Sequence, residues 1–222
     1  MKEIINPFHL NNEPVSALTH LIGLALAIIS MIVMVILAIL KGTGMHFIGF
    51  SIFGFSLVLL YTSSFFYHIL PQDTRVKEIS QRIDHSMIFL LIAGSYTPIC
   101  LTIDNQKAGL ILLIIIWLIS IIGIIVKSIG IKMKSWLSAL IYILLGLLML
   151  TVVYPLSQWL PTEAMIWLFG GGSLYIIGAG FFILEDYKPR NYRFDMHEIW
   201  HIFVMLGSFS HVYLMIKYVL YI

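Results

Sequence analysis

A chain of 222 residues that is 60% hydrophobic and 11% charged, with a mean hydropathy of +0.98, is not an ordinary soluble domain; this is the composition of an integral membrane protein. The net charge of +2 is scattered between apolar segments and forms no basic face, so nucleic acid is excluded as a partner. A single cysteine, Cys100, reads as a free buried thiol and excludes both an internal disulfide and a cysteine-rich zinc module, leaving His and carboxylates as the available metal ligands.

Seven stretches with few or no Lys, Arg, Asp and Glu are each long enough to cross about 30 Å of hydrocarbon. They fall at approximately 15–40, 46–69, 84–103, 108–130, 136–158, 163–184 and 197–220, joined by short polar loops. The expectation is one all-α, seven-helix membrane domain covering residues 1–222. The first stretch is too long for a signal peptide and has no small-residue cleavage site, so it reads as a retained span. Ten basic residues (Lys2, Arg75, Lys77, Arg82, Lys127, Lys132, Lys134, Lys188, Arg190 and Arg193) fall on the N-terminal side, against Lys41, Lys107 and Lys217 on the other. That bias predicts a cytoplasmic N-terminus and an external C-terminus. In the sixth stretch, Gly170, Gly171, Gly172, Ser173, Gly178, Ala179 and Gly180 suit close helix contact, a packing role.

Polar groups inside spans are costly, and here they share one depth. His20 lies near the inner end of the first span. The second ends at Ser64 and His68, one turn apart on one face, and the third begins at Asp84 and His85. The seventh opens with His197-Glu198-Ile199-Trp200-His201. Two imidazoles four residues apart lie on one helix face, about 40° apart and roughly 6 Å along the axis, which suits chelation of a metal. His85 points about 100° away from Asp84 and is not expected to be a ligand. Asp84 also follows Arg82 closely enough for a simple charge pair, and Glu13 with His20 suits the start of the first span. His46 belongs to the opposite side and His9 to the N-terminal tail. His211 lies roughly 15 Å beyond His201 and off its face, favouring a helix–helix hydrogen bond.

These residues carry a family resemblance. Glu13 to His20 (EPVSALTH), Ser64-Phe65-Phe66-Tyr67-His68, Asp84 followed by Gly94-Ser95-Tyr96-Thr97-Pro98, Tyr175 to Gly180 (YIIGAG), and His197 to His201 with His211 beyond resemble the hemolysin III family. That family sits within the progestin and adipoQ receptor family, which includes the adiponectin receptors, and a resemblance to its bacterial members implies residence in the bacterial cytoplasmic (inner) membrane. The resemblance implies a zinc ion held by His68, His197 and His201, with Asp84 and Ser64 near the remaining coordination position. Its Ser, Asp and three His are also similar to those of alkaline ceramidases.

Three neutral imidazoles with an open fourth position make a catalytic type of zinc site. Hydrolysis of an amide or ester is its natural reaction, with Asp84 as base or water-orienting group and Ser64 as donor to the developing oxyanion. At the inner leaflet the substrate, or ligand, entering sideways is a membrane lipid; ceramide-like amides follow from the resemblance alone. Other readings stay open: a non-catalytic membrane sensor or regulator, a pore-forming cytolysin, or an intramembrane zinc protease in which H-E-x-x-H makes Glu198 the base. Against the protease, position 204 is Val204, where a metzincin carries glycine. Against the pore, the external half of the spans is nearly devoid of charge.

Overall fold

The computed structural model describes residues 13–72, 74–131, 133–187 and 195–222. Among these residues there is no strand, and eight α-helices build seven spans of membrane length. They are α1 (Pro14–Lys41), α2 (Gly44–Ile69), α3 (Arg75–Thr102), α4 (Gln106–Ser128), α5 (Ser135–Leu147), α6 (Val153–Trp159), α7 (Thr162–Glu185) and α8 (Met196–Lys217). The fifth span is α5 and α6 joined by a 3₁₀ segment, Leu148–Val152. Lys2, His9, Lys132, Lys188, Arg190 and Arg193, used in the charge count or placed in the tail, lie outside the described residues.

Helix starts follow local chemistry. Pro14 occupies the first turn of α1, where a missing N–H costs nothing. Thr74 Oγ1 accepts from the Lys77 N–H and starts α3. That cap overturns the expected start of the third helix at Asp84: α3 begins nine residues earlier, at Arg75. A charge-poor window marks hydrocarbon and not helix, and Arg75, Lys77, Glu78 and Arg82 continue the helix beyond it. Asp84 therefore sits in the body of a helix, braced on both sides.

The fifth span is also not the continuous helix the sequence suggested. Pro155 has no N–H and its ring crowds the carbonyl four residues back, so the preceding turn tightens to 3₁₀. Backbone groups freed at this depth need partners. The Tyr96 hydroxyl supplies them, facing the carbonyls of Leu145 at 2.8 Å and Gly146 at 2.6 Å and accepting from the Met149 N–H at 2.9 Å.

The spans differ in how far they are enclosed by the others. About half of the apolar window is buried in α2, α3 and α8 (50, 56 and 50%), against 22 to 28% in the other four spans. Hence α2, α3 and α8 form the centre of the bundle and the rest face lipid. Phe50, Phe53 and Leu57 of α2, Ile99 of α3 and Leu214 and Met215 of α8 are fully buried there. Every residue expected to carry the chemistry lies on these three helices.

Candidate metal centre

His68 in the last turn of α2 and His197 and His201 in the first turns of α8 come together, all buried, each offering one ring nitrogen within 4.8 Å of the others. Each imidazole is held from behind through Nδ1. His68 Nδ1 meets Glu13 Oε2 at 2.5 Å, His197 Nδ1 meets Glu185 Oε2 at 2.7 Å, and His201 Nδ1 meets Thr19 Oγ1 at 3.0 Å. Thr19 already gives its hydroxyl proton to the Ser16 carbonyl at 2.8 Å, so it accepts from His201. A carboxylate likewise accepts, which makes Nδ1–H the donor in all three rings and leaves Nε2 with its lone pair. His68 Nε2 and His197 Nε2 then face one another at 3.3 Å. Two lone pairs at that distance repel, and a cation between them relieves the repulsion. Three neutral imidazoles, two of them backed by carboxylates, are a donor set suited to a divalent metal such as zinc.

The backing residues were mostly hidden in the sequence. Glu13 holds the N-cap position of α1, but its side chain makes no cap hydrogen bond; besides His68 it receives Gln72 Nε2 at 3.0 Å and Lys77 Nζ at 3.3 Å and so ties α1, α2 and α3 together. Glu185 is the last residue of α7, and Thr19 precedes His20 in the motif EPVSALTH. His20 is outside the triad. Its ring stacks on that of His201 with centroids 3.5 Å apart, and neither of its nitrogens has a hydrogen-bond partner among the described residues. His85 is also outside the triad and stands edge-on to Phe182. His46, at the opposite end of the bundle, binds Thr43 and the Val219 carbonyl.

Asp84 is buried on α3, within hydrogen-bonding reach of the Ser64 hydroxyl and electrostatic reach of His197. Glu198 is differently engaged. One carboxylate oxygen accepts from Ser16 and the other from the Asp195 N–H at 2.7 Å, closing a capping box on α8. One oxygen ties α8 to α1 and the other caps α8, which is not the disposition of a protease base.

A cavity of about 240 Å³ runs from this layer through the bundle between α3, α5, α7 and α8. His20, Ser64 and Asp84 close one end; Leu168 and His211 border the other. Between them the lining is chiefly aliphatic and aromatic. Of the glycines in α7, Gly171 and Gly178 pack tightly against α8, as small residues should, whereas Gly172 has no atom within 4 Å of where a Cβ would lie and faces the cavity. Leu147 and Leu150 of the fifth span and Ile176 of α7 line the cavity while remaining 39 to 48% exposed on the outer surface. The opening is therefore sideways, on the face presented to lipid.

Known proteins match nearly the whole chain. The family model described as "Haemolysin-III related" matches residues 8–212, a range that holds the triad, its backing residues, Ser64 and Asp84. A "Hemolysin-3 homolog" of Bacillus subtilis (strain 168) is 37% identical over 201 residues, covering 90% of this chain and 91% of the relative. "Hemolysin-3" of Bacillus cereus is 38% identical over 208 residues, with 94% and 92% covered. With a match of that extent and seven spans of membrane length, this multi-pass membrane protein belongs to the hemolysin III family.

Proposed function

We propose that the protein is a zinc-dependent hydrolase of a lipid amide or ester, working at the cytoplasmic leaflet of the bacterial inner membrane. One observation carries the reading: the three imidazoles share their layer with a buried carboxylate and hydroxyl at the end of a cavity that opens to lipid. A structural zinc site is closed by four protein ligands, whereas three histidines leave a position for reaction. When bound, zinc supplies Lewis acidity, making water a better nucleophile and a carbonyl a better electrophile near neutral pH.

The chain's own groups do the rest. Glu13, Glu185 and Thr19 fix the rings in the Nδ1–H tautomer and aim Nε2 at the shared centre. Asp84 takes the proton of the attacking water and returns it to the leaving nitrogen or oxygen. Ser64, beside it, donates to Asp84 or to the carbonyl oxygen as charge develops there. The aliphatic cavity holds the acyl chain and keeps bulk water away.

A second reading has an observation of its own. Nδ1 contacts join α1, α2, α7 and α8 around the triad, so metal occupancy would clamp four helices and suit a regulator without turnover. Asp84→Asn separates the two. It keeps size and hydrogen bonding and removes basicity, so zinc content by elemental analysis should stay at the parent's level while fatty-acid release from lipid amides and esters falls about 10² to 10⁴-fold. Equal rates would end the role of Asp84. No release by the zinc-loaded parent across the panel would favour the regulator.

A further inference from the structure

At the far end of the cavity one lining side chain carries a buried nitrogen with no hydrogen-bond partner among the described residues. His211, 8% exposed, borders the cavity on α8. Its Nε2 meets the Leu168 carbonyl at 3.3 Å, while Nδ1 has no hydrogen-bond partner among the described residues. The polar groups around it are matched. Ser210 donates to the Trp167 carbonyl at 2.7 Å, and the hydroxyls of Tyr61 and Tyr175 meet Ser208 Oγ at 2.9 and 3.0 Å. Nor does the ring have room to turn toward another partner on α7, since a Cβ on Gly171 would lie 2.8 Å from Cδ2 and 2.9 Å from Nε2 of His211. A buried polar atom without a partner is costly and marks a place for a water or a ligand group.

The chemistry of that group can be read from the ring. A carbonyl only accepts, so His211 Nε2 carries the proton and Nδ1 is left as an acceptor. The missing partner must therefore be a donor, such as a hydroxyl, and not a ketone or ether oxygen. Its distance from the metal layer is also set. His211 lies ten residues beyond His201, about 15 Å along the axis of α8, which an extended alkyl chain covers in about twelve carbons.

We propose that this end of the cavity is a second polar subsite, in which His211 Nδ1 accepts a hydrogen bond from a hydroxyl on the acyl chain about twelve carbons from the polar group held beside Asp84 and Ser64. The ligand class is the hydroxylated long-chain acyl lipid. This rests on the reading that an acyl chain fills the cavity, but it does not require turnover. The slot is then polar at both ends and apolar between, and it measures the position of an oxygen on the chain as well as the chain itself.

The test is displacement of radiolabelled stearate from the purified full-length protein in lipid nanodiscs. Competitors are unlabelled stearate, 12-hydroxystearate, 12-oxostearate and 2-hydroxystearate. The 12-hydroxy acid should compete about five- to tenfold more strongly than stearate, the gain expected of one buried hydrogen bond, with the 12-oxo and 2-hydroxy acids no better than stearate. His211→Phe, which fills the same space without an acceptor, should abolish the advantage and leave stearate binding intact. The chain-position series on the parent decides the matter even if that variant does not fold. Equal competition by the 12-hydroxy acid and stearate, equal gain from the 2-hydroxy or 12-oxo acid, or a preference that survives in folded His211→Phe would each overturn the subsite. Failure of stearate itself to bind would overturn the acyl-chain reading of the cavity along with it, whereas stearate binding without hydrolysis would leave the subsite standing and remove only the enzyme.

Discussion

Glu13→Gln keeps the length of the side chain and an oxygen able to accept from His68 Nδ1, and it removes only the negative charge behind the ring. Loss of a carboxylate that backs a metal-binding histidine typically lowers metal affinity about 10- to 100-fold, or about 1.4 to 2.8 kcal/mol. Burial decides where in that range a given pair falls. The side chain of Glu13 is 2% exposed against a His68 that is wholly buried, so little water screens the charge; that of Glu185, behind His197, is 20% exposed. Glu13→Gln should therefore raise the Kd for zinc by about 100-fold and Glu185→Gln by about tenfold, and the double variant by about the product if the two act independently. Glu13 also neutralises Lys77, which keeps a second partner in the Tyr67 carbonyl at 2.7 Å. Lys77→Gln is the control, and it should not lose zinc. The assay is competition with a chromophoric chelator on detergent-purified protein, with helicity checked by circular dichroism. A Kd within about twofold of the parent's in folded Glu13→Gln would refute the assignment of Nδ1–H donors and Nε2 ligands, because the proposed backing would then have no effect on the metal.

Two further outcomes separate neighbouring groups. Glu198→Gln should keep most fatty-acid release and lose about 0.5 to 1.5 kcal/mol of thermal or chemical stability, since Gln can still cap α8 but keeps only one of the two acceptor oxygens in use; a collapse of release with zinc retained would instead point to the H-E-x-x-H protease mechanism. Gly172→Ala should behave as the parent because nothing lies within 4 Å of the new Cβ. Gly172→Phe fills the slot and should lower kcat/KM for long-chain substrates about tenfold or more, and an unchanged value would show that the acyl chain lies elsewhere.

Composition and charge-poor windows were enough to read seven spans, because a membrane helix satisfies its own backbone and leaves hydropathy as the main variable. Helix ends beyond the hydrocarbon were not legible that way. Thr74 starts α3 among charged residues, and Pro155 splits the fifth span through a backbone clash to which hydropathy is blind. The i, i+4 pair of α8 and the shared depth of His68 and Asp84 were enough to expect these residues in one layer, where the structure brings the three histidines together, since spacing and depth survive folding. Its second layer did not show itself: Glu13 and Glu185 sit at helix ends, where an acid ordinarily means solvent or a cap, and Thr19 resembles any threonine bonding the carbonyl three residues back. What converts them into a scaffold is the crossing of α1 and α7 beside the ends of α2 and α8, a tertiary fact. His211 was legible as a helix–helix bond, which the structure makes through Nε2, but the unpartnered Nδ1 among the described residues required the fold to be seen.

The division of labour among the helices bears on which reading of the site is correct. Groups that fix the triad come from its outer side: Glu13 and Thr19 of the first span and Glu185 of the sixth, on helices turned mainly to lipid. Ser64 and Asp84 come from two of the three most enclosed spans and stand at the cavity end. A metal needed only to clamp helices requires the first set and has no use for the second. Burying a carboxylate and a hydroxyl in the centre of a membrane bundle carries a desolvation cost that apolar residues of the same size would avoid. The retained pair is explained if a reacting or bound polar group meets it there, which is why charge at Asp84, with the triad left whole, divides catalysis from regulation more cleanly than any change to the histidines.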